Sequence, residues 1–104
     1  MKNKVFYGEG IKVVKEQRPD VYEIIAKLND TVYSGKVLDY KTLKLVAIAI
    51  VAAKCDEKAT EKQMKSGMKE LGITKEEIMD VLGIVLLTSG VPAYVKAMKI
   101  LEKL

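Results

Sequence analysis

The run LVAIAIVAA, Leu45 to Ala53, carries no polar side chain at any of its nine positions. A helix built from it has no face fit for water and must be covered on every side. Nine residues is under half of the roughly twenty that a membrane span needs, so the cover has to be protein. Val and Ile would also allow a buried strand, but the length of the segment and its alanines favour a helix. A second segment, Val81 to Leu87, is apolar all round in the same way. A chain of this size buries only about two-thirds of its unfolded surface. It cannot easily cover two such helices alone. The expectation is a homo-oligomer whose subunits cover one another's helices; the alternative is a compact monomer.

The segments around these runs also read as helices. A short opening helix is predicted over EGIKVVKEQ, Glu9 to Gln17. RPDVYEIIAKLNDTVYS follows, with Pro19 at the first helical position and Asp20 in the first turn. Val21, Ile24, Ile25 and Leu28 form an i, i+3, i+4, i+7 stripe on it, and Gly35 closes it. Asp39 is the expected N-cap of the helix that contains Leu45–Ala53. Asp56 caps the next, which ends at Gly72. Thr74 and Glu77 have the spacing of a capping box, and the helix behind them stops at Gly90. Pro92 stands in the first turn of the last helix, whose basic tail suits the negative end of its dipole. Five or six helices and no confident strand make an all-α bundle, one domain spanning residues 1–104.

Composition narrows the function classes. Lysine and arginine number 18 against 14 acids, for a net charge of +4. Arg18 is the sole arginine, and acids are interleaved with the lysines. A nucleic-acid surface would more often cluster arginine and aromatics, so nucleic acid is not the expected partner. The bias toward Lys, Glu, Ile and Val fits a thermophile. One cysteine cannot form an intrachain disulfide, and MKNKVFYGEG has no apolar signal core. The expected setting is cytoplasmic, with no membrane association. No zinc spacing, phosphate-binding glycine loop or serine-nucleophile motif occurs, so no metal or other cofactor is expected.

KTLKLVAIAIVAAKCDEK, Lys41 to Lys58, and GITKEEIMDVLGIVLLTSGVPAYVKAM, Gly72 to Met98, carry three recognisable features. These are a K-T-x-x-L-V-A start to the apolar helix, a G-I-T-x-E-E-I turn and cap, and a G-x-P-A lead into the last helix. Their order and spacing resemble the carboxymuconolactone decarboxylase family, which includes the alkyl hydroperoxidase D-like proteins. The resemblance implies an all-α fold assembled as trimers or hexamers. It also implies one of two chemistries. The thiol branch reduces peroxides, a peroxiredoxin-type activity, with a C-x-x-C pair, a histidine beyond the second cysteine and a glutamate on the preceding helix. The decarboxylase branch acts on a lactone acid with a histidine and no cofactor.

The thiol chemistry needs a thiolate to attack peroxide, a second thiol to resolve the sulfenic acid, and acid–base groups to move protons. The chain has no histidine at all. Aligning KTLKL with the family start puts Lys44 at the glutamate. Anchoring on Cys55 puts Lys58 at the second cysteine and Lys62 at the histidine. Counting forward from Lys44 gives Asp56, Ala59 and Gln63 instead, and counting back from Gly72 gives Glu57, Thr60 and Met64. No register supplies the relay.

Cys55 is therefore the one candidate catalytic residue. It precedes a helix N-terminus with Lys58 one turn on, both of which favour a thiolate. The alternative is a buried, inert cysteine closing the apolar helix. Lys58, Lys62, Lys65 and Lys69 share one helix face and are candidates to bind a small anionic ligand; a solvated face is the competing reading. Met64, Met68 and Leu71 make an apolar stripe of that helix, expected to pack in the core. The tyrosines, Tyr7, Tyr22, Tyr33, Tyr40 and Tyr94, are scattered; Tyr94 follows the G-x-P-A turn and is read as packing with a hydroxyl handle. Two functions remain: a degenerate, small-molecule-binding family member, or a single-thiol peroxidase that uses Cys55 with an external reductant.

Overall fold

The computed structural model describes residues 9–104, so Tyr7 lies outside the described residues. Those residues form six α-helices and no strand: α1 (Glu9–Gln17), α2 (Pro19–Ser34), α3 (Tyr40–Ala53), α4 (Glu57–Leu71), α5 (Lys75–Ser89) and α6 (Val91–Glu102). They fall into two compact units, with the boundary between Tyr40 and Lys41.

In the first unit α1 packs against α2. Arg18 joins them without a gap, donating its N–H to the Val14 carbonyl at 2.8 Å and accepting from the Tyr22 N–H at 2.9 Å. Pro19 then starts α2, where its missing N–H costs nothing. The Lys15 ammonium lies 5.3 Å from the centre of the Tyr22 ring. The rings of Tyr33 and Tyr40 sit 5.1 Å apart and tilted. Gly35, at φ 63°, closes α2 as its position predicts. The Val21–Leu28 stripe, however, is divided. Val21 and Ile25 are half-buried and Ala26 is buried, while Ile24 and Leu28 are exposed together with Val32. The stripe is wider than the single face that α1 can cover.

In the second unit each helix turns one narrow face inward. Ile48 and Ala52 come from α3 and Met64 from α4. Ile78, Leu82 and Val85 come from α5, and Ala93, Ala97 and Leu101 from α6. The spacing within α5 and α6 is i, i+4 and i+7 or i+8, one side of a helix. α6 packs against both α4 and α5, and its inward alanines allow close approach. Met68, Leu71 and Tyr94 are half-buried against this core, as their stripes suggest.

The ends of α4 and α5 match their sequence signals. The Thr74 hydroxyl accepts from the Glu77 N–H at 3.0 Å, and the Glu77 carboxylate accepts from the Thr74 N–H at 2.9 Å. This is the full capping box. The same carboxylate pairs with Lys41 at 3.0 Å and so ties the start of α3 to the start of α5.

A single chain does not cover its two apolar segments all round: Val46 and Ile50 on α3 are exposed, as are Ile84 and Leu87 on α5. A bundle this small places a neighbour on one side of each helix and has no layer left for the other. No helix among the described residues is long and apolar enough to cross a membrane.

The corner between α3 and α4 and the buried lysine of α3

Cys55 sits at the corner between α3 and α4. The Asp56 N–H donates to the Val51 carbonyl at 3.2 Å, and the Cys55 N–H donates to the Ala52 carbonyl at 3.0 Å. These are the two bonds of a Schellman motif, with Cys55 at the left-handed position that glycine usually fills. Its φ is 59°, and no other non-glycine among the described residues has a positive φ. The conformation costs a side-chain-bearing residue about 1 kcal/mol. Asp56 then caps α4, its carboxylate accepting from the Ala59 N–H at 3.1 Å. The Thr60 hydroxyl donates back to the Asp56 carbonyl at 2.7 Å. The turn is thus defined by backbone bonds on one side and side-chain bonds on the other.

Cys55 is exposed, so the reading of a buried thiol closing the apolar helix does not hold. The left-handed turn lifts the residue out of the inward line Lys44, Ile48, Ala52, which a continued helix would have extended to it. Lys58 and Lys62 are also exposed, with Lys65 and Lys69 on the same solvated face. Lys65 pairs with Glu61 at 3.4 Å, an exposed i, i+4 contact of small energetic weight.

The second place of interest was only half visible in the sequence. Lys44 is wholly buried on the inward face of α3, in line with Ile48 and Ala52. Its stem lies where α4 offers Gly67: a Cβ built on that glycine would stand 3.4 Å from the Lys44 Cγ and 3.6 Å from the Ile48 Cδ1. Burial pushes the Lys44 ammonium down to about 8, with the Glu70 carboxylate pulling the other way. The i, i+4, i+8 line of Lys44, Ile48 and Ala52 was the signal that could have found this burial.

The inward face of α4 is Thr60, Met64 and Gly67, all buried. Thr60 and Met64 are the second-cysteine and histidine positions in the register counted back from Gly72. In the register anchored on Cys55 those positions are Lys58 and Lys62, both at the surface. Lys44 and Cys55 are eleven residues apart. That is about three turns, roughly 16 Å along the axis, so Lys44 and the thiol do not form one catalytic pair. Among the described residues, no three side chains of His, Cys, Asp or Glu stand together as metal ligands would.

The model of the carboxymuconolactone decarboxylase family matches residues 19–103. The uncharacterized protein MJ0742 of Methanocaldococcus jannaschii is 76% identical over 104 residues, the whole of both chains. The uncharacterized protein MJ1511 of the same organism is 46% identical over 92 residues, 88% of this chain and 85% of that one.

Proposed function

Because the chain belongs to the carboxymuconolactone decarboxylase family, we propose that it is a member that keeps the helical frame and has lost the thiol–histidine relay. It acts as a homo-oligomeric, small-molecule-binding protein. The observation that carries this reading is the inward face of the α3–α4 pair. A relay that passes protons between facing helices needs its groups on the sides that face inward. Those places hold Lys44, Thr60 and Met64, all buried. A threonine cannot resolve a sulfenic acid, and a methionine cannot exchange a proton. Lys58 and Lys62, side by side on the exposed face of α4, are the contacts for a small anionic ligand such as a carboxylate.

The test is turnover. Purified wild type and Cys55→Ala are assayed for consumption of hydrogen peroxide and an alkyl hydroperoxide with dithiothreitol supplied. A separate assay follows decarboxylation of the lactone acid. The expected result is no turnover above buffer in either assay. Wild-type turnover with any of these substrates overturns the reading.

A second reading, the single-thiol peroxidase, is favoured by the exposure of Cys55 on the corner. Its thiolate would attack one peroxide oxygen, break the O–O bond, become a sulfenic acid and release water or an alcohol. Two external thiols would then restore it, leaving as a disulfide with loss of water. Peroxide turnover that disappears in Cys55→Ala would select this reading.

A further inference from the structure

Two residues that each work against stability meet at one point in the second unit. Lys44 is wholly buried on the inward face of α3. An ammonium is costly to bury, and a methionine would fill much the same space without that cost. Opposite the lysine stem stands Gly67, buried in the interior of α4, where glycine is disfavoured relative to alanine. A Cβ there would stand 3.4 Å from the Lys44 Cγ and 3.0 Å from the Ile73 Cδ1. α4 thus gives up a side chain where the lysine stem passes. Ile48, one turn further along α3, and Ile73 are buried beside it. Glu70, exposed on the last turn of α4, is the acid whose charge acts on the ammonium. The amine is therefore held in an apolar setting yet stands within electrostatic reach of the surface.

We propose that Lys44 is a nucleophilic amine, held in place by the notch at Gly67, that binds a short uncharged aldehyde covalently as an imine. The apolar neighbours select the class of ligand. A charged oxo acid would bring a carboxylate into the core, whereas an uncharged carbonyl compound of a few atoms would not. The neutral amine attacks the carbonyl carbon, so that a C–N bond forms and the carbonyl π pair moves to oxygen. One proton passes from nitrogen to that oxygen. The carbinolamine then loses its hydroxyl together with the remaining proton on nitrogen, as water, and a C=N bond is left. No oxidant or reductant takes part. A desolvated lysine is suited to this step because only the neutral amine attacks. Burial pushes Lys44 down to about 8. At pH 7.5 roughly a quarter of it is then neutral, against about one in a thousand for an ordinary lysine. The site is separate from Lys58 and Lys62 on the exposed face of α4, and the proposal does not rest on their binding an anion.

The experiment is reductive trapping on the full folded chain at pH 7.5. The probe is propanal with sodium cyanoborohydride, which reduces the imine to a stable secondary amine. Peptide mapping by mass spectrometry follows the label at every lysine with time, and a parallel series runs in urea. In the folded chain Lys44 is expected to take the label at least about tenfold faster than any other lysine, in line with its larger neutral fraction. In urea that preference is expected to vanish, because the burial that creates it is gone. A folded chain in which Lys44 falls short of that margin, or stays unmodified while surface lysines are labelled, overturns the proposal. A preference that persists in urea overturns it as well, since the reactivity would then come from neighbours in sequence and not from the fold.

Discussion

The stem of Lys44 lies against Gly67, in the space a side chain on α4 would otherwise fill. Lys44 is wholly buried, and burial pushes its pKa down from the ordinary lysine value to about 8. Between about pH 8 and pH 10.4 the unfolded chain therefore holds a proton at this position that the folded chain has lost. Stability from this group rises with pH across that window. Below pH 8 both states are protonated and the full penalty is present. The difference amounts to up to about 3 kcal/mol. Lys44→Met removes the penalty and is expected to stabilise the protein at pH 7 by about 2 kcal/mol. Denaturant unfolding of both proteins at pH 7, 8, 9 and 10 checks this. The variant's advantage shrinks as the pH rises through the window.

Gly67 is held to its size by the same contact. A Cβ there would also stand 3.0 Å from the Ile73 Cδ1, at a buried residue. Gly67→Leu is expected to destabilise by at least about 2 kcal/mol, since it must push Lys44 and Ile73 aside in a packed core. The double variant Gly67→Leu with Lys44→Ala recovers part of the loss if the two side chains compete for one space. A thermal unfolding series reads this coupling directly.

Cys55 is tested through its backbone as well as its sulfur. At φ 59° the left-handed turn suits glycine, so Cys55→Gly is expected to stabilise by about 0.5–1 kcal/mol. Cys55→Val, β-branched at the same position, is expected to destabilise by about 1 kcal/mol or more. If both variants unfold at the same denaturant midpoint, the left-handed geometry does not govern the corner.

The start of α5 gives a local prediction. Thr74→Ala removes the acceptor for the Glu77 N–H and is expected to cost about 1 kcal/mol. The Glu77 carboxyl is held below its ordinary value, first by the Thr74 N–H and then by Lys41. Its contribution is present above the unfolded carboxyl pKa and fades as the pH falls through the folded one. Lys41→Gln, which breaks the exposed ion pair, should change stability by no more than about 0.5 kcal/mol. Urea titrations of the two variants side by side rank cap against bridge.

Local features of the fold were legible because they are written in neighbouring residues. Pro19, Asp56, the Thr74–Glu77 box and Gly72 each act within one helical turn, and each stands where the structure begins or ends a helix. The place of Met64 in the core followed from its position on the apolar side of α4. Lys44 was read only as the residue at an expected glutamate position. Nothing in its immediate neighbours announces that α4 will present a glycine opposite it.

The sequence alone therefore determined the helices, their caps, the family frame and the absence of histidine and of a second thiol. Helix formation and capping depend on residues within about four positions, and a missing residue type is missing in any fold. Only the tertiary structure decided which side of each helix is covered. It set the line Lys44, Ile48, Ala52 inward against α4 and left Ile84 and Leu87 outward. It turned Cys55 out of that line through a left-handed residue. Those outcomes depend on which helices meet and on how many neighbours a small bundle can supply, and residues far apart in the chain settle them together.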